Sequence, residues 1–199
     1  ATRRLPSPYG LRGATYATLF GLIASTGLRI SEALRLDDAD VDLTAATINV
    51  CASKTGRDRL LPITPDTAAH LRAYMQHRDR ILSASGGALF RLESGKRVGD
   101  CGARYTFANV SQTTGLRAAE RYNRHGHGPR IHDLRHTFAV RTIIDWHRAG
   151  LDIDREMSKL SAYLGHANPK GTYWYIEAVP ELMQLAAARA DNAIAGERA

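Results

Sequence analysis

The chain has 199 residues, enough for one domain with an added subdomain and for a sizeable hydrophobic core. Its 27 Lys and Arg outnumber its 20 Asp and Glu, and the net charge of +7 favours an anionic partner such as nucleic acid. Two widely separated cysteines indicate neither a disulfide framework nor a zinc ribbon, and with no membrane-length apolar run or signal-peptide pattern we expect a cytoplasmic protein.

The first predicted elements are two helices joined by a glycine turn. The chain opens without methionine, and its Pro-containing start predicts a linker over 1–14 that follows a preceding domain. Apolar residues at helical spacing then predict a helix over 15–25, which Thr26 and Gly27 end. A short helix follows over 28–36, with Ser31 as a candidate N-cap. Arg29 stands at its first turn, and Glu32 is spaced to hold the Arg29 side chain.

Extended segments come next. Residues 40–43, 47–51 and 60–63 read as three short strands, with Lys54 at the tip of the hairpin between the last two. Thr64 and Pro65 have the pattern of a helix start. We expect that helix to run to about residue 80 and to bury three side chains: Ala68, Leu71 and Met75.

The second half of the chain is predicted to be helical. One helix begins at Asp100, and the basic segment 117–128 is interpreted as a helix followed by a loop over the binding face. Further helices are expected over 132–149 and 154–164, the latter ended by Gly165. A last helix begins at Pro180 and has only a short apolar face.

The segment 130–139 carries two distinct helix faces. Ile131, Leu134 and Phe138 recur at the spacing of a core-facing stripe, whereas His132, Arg135 and His136 share another face. A guanidinium matches the oxygens of a phosphate, and a histidine exchanges a proton near neutral pH. This face suits chemistry on phosphate, although a solvated polar face is the commoner meaning of such a pattern taken alone.

Four such stretches, in order, resemble the tyrosine recombinases of the phage integrase family. The segment 26–32 is similar to the family's first arginine box, 53–56 to its hairpin lysine and 132–136 to its second box. The third box is matched by 164–166, with a tyrosine nine residues after His166. These boxes span most of the chain.

The resemblance implies an α+β, mainly α, catalytic domain with a small three-stranded antiparallel sheet, over residues 15–178. The family cuts one DNA strand by attack of a tyrosine on the scissile phosphate, which leaves a 3′-phosphotyrosyl bond and needs neither ATP nor a metal. The matched positions imply the following roles: Tyr175 as nucleophile, Arg29 and Arg135 as phosphate ligands, Lys54 as general acid, His132 as proton acceptor and His166 as phosphate donor. Glu32 and His136 are expected to support them. Tyr173 is the rival nucleophile, but two residues apart on a helix means different faces.

Physical chemistry favours such a cluster independently. A tyrosine phenol ordinarily has a pKa near 10, so ionising it at neutral pH costs about 4 kcal/mol. Adjacent guanidiniums lower that cost, and one preorganised donor to the developing oxyanion contributes on the order of 3 kcal/mol.

The partners implied are double-stranded DNA and further copies of the chain. From charge we assign DNA contacts to six arginines: Arg57, Arg59, Arg117, Arg121, Arg124 and Arg130. The family's behaviour implies a homo-tetramer on DNA in which the tail 179–199 docks on a neighbouring protomer through Leu182 and Leu185. The family's preceding DNA-clamping domain has no counterpart among these residues.

Three alternatives stay open. A type IB topoisomerase shares the chemistry without exchanging partner strands, and a DNA-binding module with the same fold lacks the activity. A metal enzyme would use His132, His136 and His166. However, Asp133 stands where the zincin pattern needs Glu, and Arg135 beside both helix histidines would repel a divalent cation.

Overall fold

A computed structural model describes residues 1–2, 5–51, 58–84, 86–118, 128–166, 172–173 and 175. These residues form six α-helices and three short strands. Their packing divides the chain into two compact units, the first over residues 1–135 and the second over residues 136–199. The elements in chain order are α1 (Leu11–Thr26), α2 (Ile30–Arg35), β1 (Val41–Asp42), β2 (Thr47–Val50), β3 (Arg59–Pro62), α3 (Pro65–Leu82), α4 (Asp100–Thr113), α5 (Ile131–Arg148) and α6 (Ile153–Leu164). The predicted mainly helical class with a small sheet is confirmed.

The sheet is a three-stranded antiparallel meander in the order β1-β2-β3. Ile48 of β2 pairs with Val41 of β1 and with Leu61 of β3. Alternate residues on the inner face, Ile48, Val50 and Leu61, are buried. At the loop end of the hairpin stem Val50 pairs with Arg59, which places Arg59 at the start of β3.

Helices α1 and α3 pack against each other in the core of residues 1–135. The α1 side chains of Leu19 and Ile23 and the α3 side chain of Leu71 are almost fully buried. Thr64 caps α3 as predicted, since its hydroxyl accepts the backbone N–H of Thr67 at 3.2 Å. A groove of about 700 Å³ runs beside these two helices, and none of the candidate catalytic residues that the structure describes lines it.

A buried arginine joins α3 to the segment that follows α2. Arg78 is fully buried, and its guanidinium grips both carboxylate oxygens of Asp38 at 2.7 Å. The same group donates to the Leu89 carbonyl at 2.7 Å and to Asp79 at 2.8 Å. Burial lowers the pKa of Arg78, but the two carboxylates outweigh burial and raise it, so the group stays a cation.

Helices α5 and α6 supply the core of the second unit. Ile143 of α5 packs with Met157, Leu160 and Leu164 of α6, and the ring of Tyr175 belongs to the same cluster. Asp152 caps α6 through hydrogen bonds from the backbone N–H groups of 154 and 155. The helix predicted over 154–164 and its end at Gly165 are confirmed.

Several local predictions are wrong. Helix α1 begins at Leu11, inside the segment predicted as linker, because the Leu11 side chain is fully buried in the core. Helix α2 begins at Ile30 with Arg29 in the N-cap position, so Ser31 is not its cap. In α3 the predicted Ala68 and Leu71 are buried, but Tyr74 is buried where Met75 was expected, and Met75 is only half-buried. Arg117 and Ala118 are not helical, and residues 119–127 of the segment predicted as a helix and loop lie outside the described residues, so that prediction stays untested.

No helix in the described ranges is both long and apolar enough to cross a lipid bilayer.

Candidate active site

The turn between α1 and α2 presents Arg29. Gly27 ends α1 in a left-handed conformation, with φ of 65°, and its backbone N–H caps the Ile23 carbonyl at 2.8 Å. Two residues later the backbone of Arg29 is extended, and its N–H donates to the Glu32 carboxylate at 2.9 Å. The Arg29 guanidinium donates to the other Glu32 oxygen at 2.8 Å. The predicted contact between Glu32 and Arg29 is therefore present.

Arg59 reaches the same carboxylate from β3. Its two terminal nitrogens donate to the two Glu32 oxygens at 3.2 and 2.9 Å. Only 1% of the Glu32 side chain is exposed, against 31% for Arg29 and 17% for Arg59. A nearly buried carboxylate thus lies between two guanidiniums, a pairing that sequence reasoning missed when it assigned Arg59 to DNA from its charge.

The two arginines keep Glu32 ionised. Burial by itself would raise the pKa of the Glu32 carboxyl. Hydrogen bonds from Arg59, from the backbone N–H of Arg29 and from its side chain outweigh burial and hold that pKa below its usual value. Two cations and one anion leave this group, Arg29, Glu32 and Arg59, with a net positive charge.

Arg135 meets the same turn from α5. Its side chain is 1% exposed, and one terminal nitrogen donates to the Gly27 carbonyl at 2.6 Å. That carbonyl lies two residues before Arg29, so the structure brings the first and second arginine boxes to one turn although 108 positions separate the bonded residues.

The other basic positions of this unit differ in exposure. His132, one turn before Arg135, is exposed, and so is Arg130. Arg117 is half-buried and packs against Gly128, where a Cβ would lie 2.7 Å from the Arg117 side chain. The Arg117 backbone N–H also donates to the Ser111 carbonyl at 3.1 Å. Its role in DNA binding stays a prediction.

Tyr175 lies in the second unit, with 3% of its surface exposed. Its ring stacks on the ring of His166, with centroids 6.3 Å apart and planes at 20°. The His136 ring meets it edge-on at 5.3 Å. The structure therefore places the predicted nucleophile beside the histidine of the third box and beside the supporting histidine of α5.

His166 is held at the end of α6. Gly165 ends that helix with φ of 67°, and the His166 backbone N–H donates to the Ser161 carbonyl at 3.0 Å. The ring nitrogen Nδ1 lies 2.7 Å from the hydroxyl of Thr172, which is fully buried. Sequence reasoning missed Thr172, because a spacing of six residues between a histidine and a hydroxyl does not predict that the two side chains are in contact.

Tyr173 has different surroundings from Tyr175. It is 39% exposed, and its hydroxyl donates to the Asp154 carboxylate at 3.4 Å. The two tyrosines thus point to different environments, as their spacing predicts.

Four of the predicted site residues, Lys54, Arg57, Arg121 and Arg124, lie outside the described residues, as do the tail positions Leu182 and Leu185. Cys51 and Cys101 are free and exposed. In the described part of the chain, no three His, Cys, Asp or Glu side chains are grouped so as to hold a metal ion.

Comparison with known proteins shows which family the chain resembles. Residues 8–181 match the sequence profile of the phage integrase family. A putative integrase/recombinase of Sinorhizobium fredii, y4rB, is 40% identical over 184 residues, which are 92% of this chain and 57% of that protein. The tyrosine recombinase XerC of Chlamydia pneumoniae is 28% identical over 178 residues, 89% of this chain and 50% of that protein.

Solved structures agree in fold. The XerA recombinase matches with a TM-score of 0.68 at 23% identity, over 89% of this chain and 57% of that one. At that identity the likeness concerns the fold alone. The chain spans about half the length of the curated relatives it matches.

Proposed function

The chain belongs to the phage integrase family, and from this membership we propose that it is a site-specific DNA recombinase that forms a 3′-phosphotyrosyl intermediate without metal or ATP. One observation carries the proposal. The guanidinium of Arg135 is bonded to the turn that presents Arg29, so two cations suited to a phosphate are held at one place.

Each group has a defined chemical task in this proposal. The phenol oxygen of Tyr175 attacks the scissile phosphorus and passes its proton to His132. Arg29 and Arg135 stabilise the charge that develops on the non-bridging oxygens. As the bond from phosphorus to the 5′-oxygen breaks, Lys54 protonates the leaving oxygen, and the released hydroxyl of a partner strand later reverses the step.

The surroundings of the two tyrosines support Tyr175 as the nucleophile. Its ring lies against His166, whose other partner, Thr172, holds the imidazole in place. A hydrogen bond from His166 to the phosphate would then form from an already oriented ring. The hydroxyl of Tyr173 is instead directed to Asp154.

The partners in this proposal are double-stranded DNA and further copies of the chain, assembled as a tetramer through the tail that carries Leu182 and Leu185. The positive net charge supports a DNA partner. Deleting the residues after Pro180 should abolish assembly and recombination, and normal recombination by that deletion variant would refute the tail's role.

The test is a trapping experiment with the protein in its natural full length. Its recombination site is first recovered from a random DNA library by isolating covalent adducts. A duplex with that site, nicked beside the scissile phosphate, then releases a short fragment on cleavage and traps the adduct. We expect the adduct to form in EDTA, to vanish in Tyr175→Phe and to persist in Tyr173→Phe.

The other outcomes separate the alternatives. Loss of the adduct in Tyr173→Phe alone would reassign the nucleophile. Relaxation of supercoiled plasmid without strand exchange would identify a topoisomerase. Reversible DNA binding with no adduct from any library member would identify a binding module.

A further inference from the structure

The hairpin arginine Arg59 shares both oxygens of Glu32 with Arg29. The first oxygen accepts a guanidinium nitrogen from Arg29 at 2.8 Å and one from Arg59 at 3.2 Å. The second accepts the Arg29 backbone N–H and an Arg59 nitrogen, each at 2.9 Å. A change at Arg59 is therefore felt at the carboxylate that holds Arg29.

The charges of the three residues explain why a second arginine is needed. Glu32 paired with Arg29 alone would be a neutral pair, with its carboxylate also repelling a phosphate. Arg59 restores the net positive charge. Because only 1% of the Glu32 side chain is exposed, water does little to screen the negative charge of its carboxylate. The Arg59 guanidinium offsets that charge instead.

The two hydrogen bonds from Arg59 also fix the orientation of the Glu32 carboxylate. A carboxylate that accepts two parallel N–H bonds from one guanidinium cannot rotate without breaking one of them. Arg59 grips Glu32 in this two-point way, and Arg59 is itself held where β3 pairs with Val50 of β2. The hairpin stem therefore defines the orientation of Glu32, and Glu32 defines that of Arg29.

We propose that Arg59 is a positioning residue for DNA strand cleavage, which acts through Glu32 to orient the Arg29 guanidinium and which keeps the net charge of the three residues positive toward the scissile phosphate. This inference rests on the proposed recombinase function. It replaces the assignment of Arg59 as a direct DNA contact, because its guanidinium donates to both Glu32 oxygens and only 17% of its side chain is exposed.

A double-mutant cycle tests whether Arg59 acts through Glu32. The variants are Arg59→Met, Glu32→Gln, the pair together, Arg59→Lys and the control Arg104→Met, whose exposed arginine is paired with Asp100 on the surface of α4. Each is made in the natural full-length protein and checked for folding by circular dichroism. The rate of adduct formation at saturating nicked DNA and the affinity for that DNA are measured separately.

We expect Arg59→Met to slow adduct formation by about 10- to 100-fold, the usual effect of a misplaced catalytic group, with DNA affinity nearly unchanged. In the Glu32→Gln background the same substitution should cost less than about threefold, because the group that transmits its effect is gone. Arg59→Lys should recover part of the rate, since lysine restores the charge without the two-point grip. Arg104→Met should behave as wild type.

Two results would overturn the inference. One is an equal loss from Arg59→Met with and without Glu32→Gln, which would mean that Arg59 acts independently of Glu32. The other is a loss confined to DNA affinity, which would return Arg59 to the DNA contacts. Failure of the wild-type protein to form any adduct is a separate result, and it would refute the proposed function itself.

Discussion

Replacing Arg78 with methionine should destabilise the first unit more than any surface change of the same type. Methionine keeps an unbranched stem in the core but removes the charge and the hydrogen-bond donors. The substitution leaves Asp38, whose side chain is only 13% exposed, without the guanidinium that grips both of its oxygens. It also removes the donor to the Leu89 carbonyl.

The size of the effect follows from burial. Breaking a buried ion pair by removing one partner typically costs about 3–5 kcal/mol, because the remaining charge is stranded away from water. Asp79 is still paired with Arg91 at 3.2 Å, so one of the two carboxylates keeps a partner. The backbone N–H of Gly86 also still donates to Asp38 at 3.0 Å. We therefore expect a loss of about 3 kcal/mol, the lower end of that range.

Amide hydrogen exchange measures this loss for the first unit by itself, through the most protected amides of α3. Arg104→Met is the control, and its exposed pair with Asp100 predicts a loss below about 1 kcal/mol. The double variant Arg78→Met with Asp38→Asn should lose less than Arg78→Met alone, since no charge is then stranded. Equal protection in Arg78→Met and Arg104→Met would refute the reasoning.

Two further predictions concern the site. Thr172→Val should slow adduct formation by up to about tenfold, because it removes the hydrogen bond that orients His166 while keeping the side-chain shape; a wild-type rate in the trapping assay would contradict this. Because the pKa of Glu32 is lowered in the folded protein, its ionised carboxylate stabilises the fold at pH values above 4.5, the usual pKa of this carboxyl. This stabilisation is lost as the pH falls through the lower pKa that Glu32 has in the folded protein. The difference in unfolding free energy between wild type and Glu32→Gln should therefore shrink on acidification, and a constant difference across that range would count against the ion pairs.

Much of the local structure is readable from the chain. Apolar spacing and caps predict α3 with Thr64 and α6 with Gly165, because these signals depend on residues within one or two turns. Short runs enriched in β-branched residues predict the strands within about one position. The contact between Arg29 and Glu32 is readable for the same reason, since three positions on a helix start bring the two groups together.

The same local reasoning fails where the deciding contact is distant. Leu11 sits among residues that favour a linker, but burial of its side chain in the core makes it the first residue of α1. An arginine on a helix is ordinarily exposed to solvent, and the local sequence around Arg78 gives no other expectation. Only its contact with Asp38, 40 residues earlier, makes it a core residue.

By itself, then, the sequence determined the family boxes, the helices that carry them and the residue types able to act on a phosphate. Tertiary structure alone decided that Arg135 meets the turn of Arg29 across 108 positions and that Arg59 grips Glu32 across 27. The physical reason is that helix and strand periodicities report which face of an element is apolar, whereas the partner of a buried charge is chosen by the packing of elements far apart in the chain.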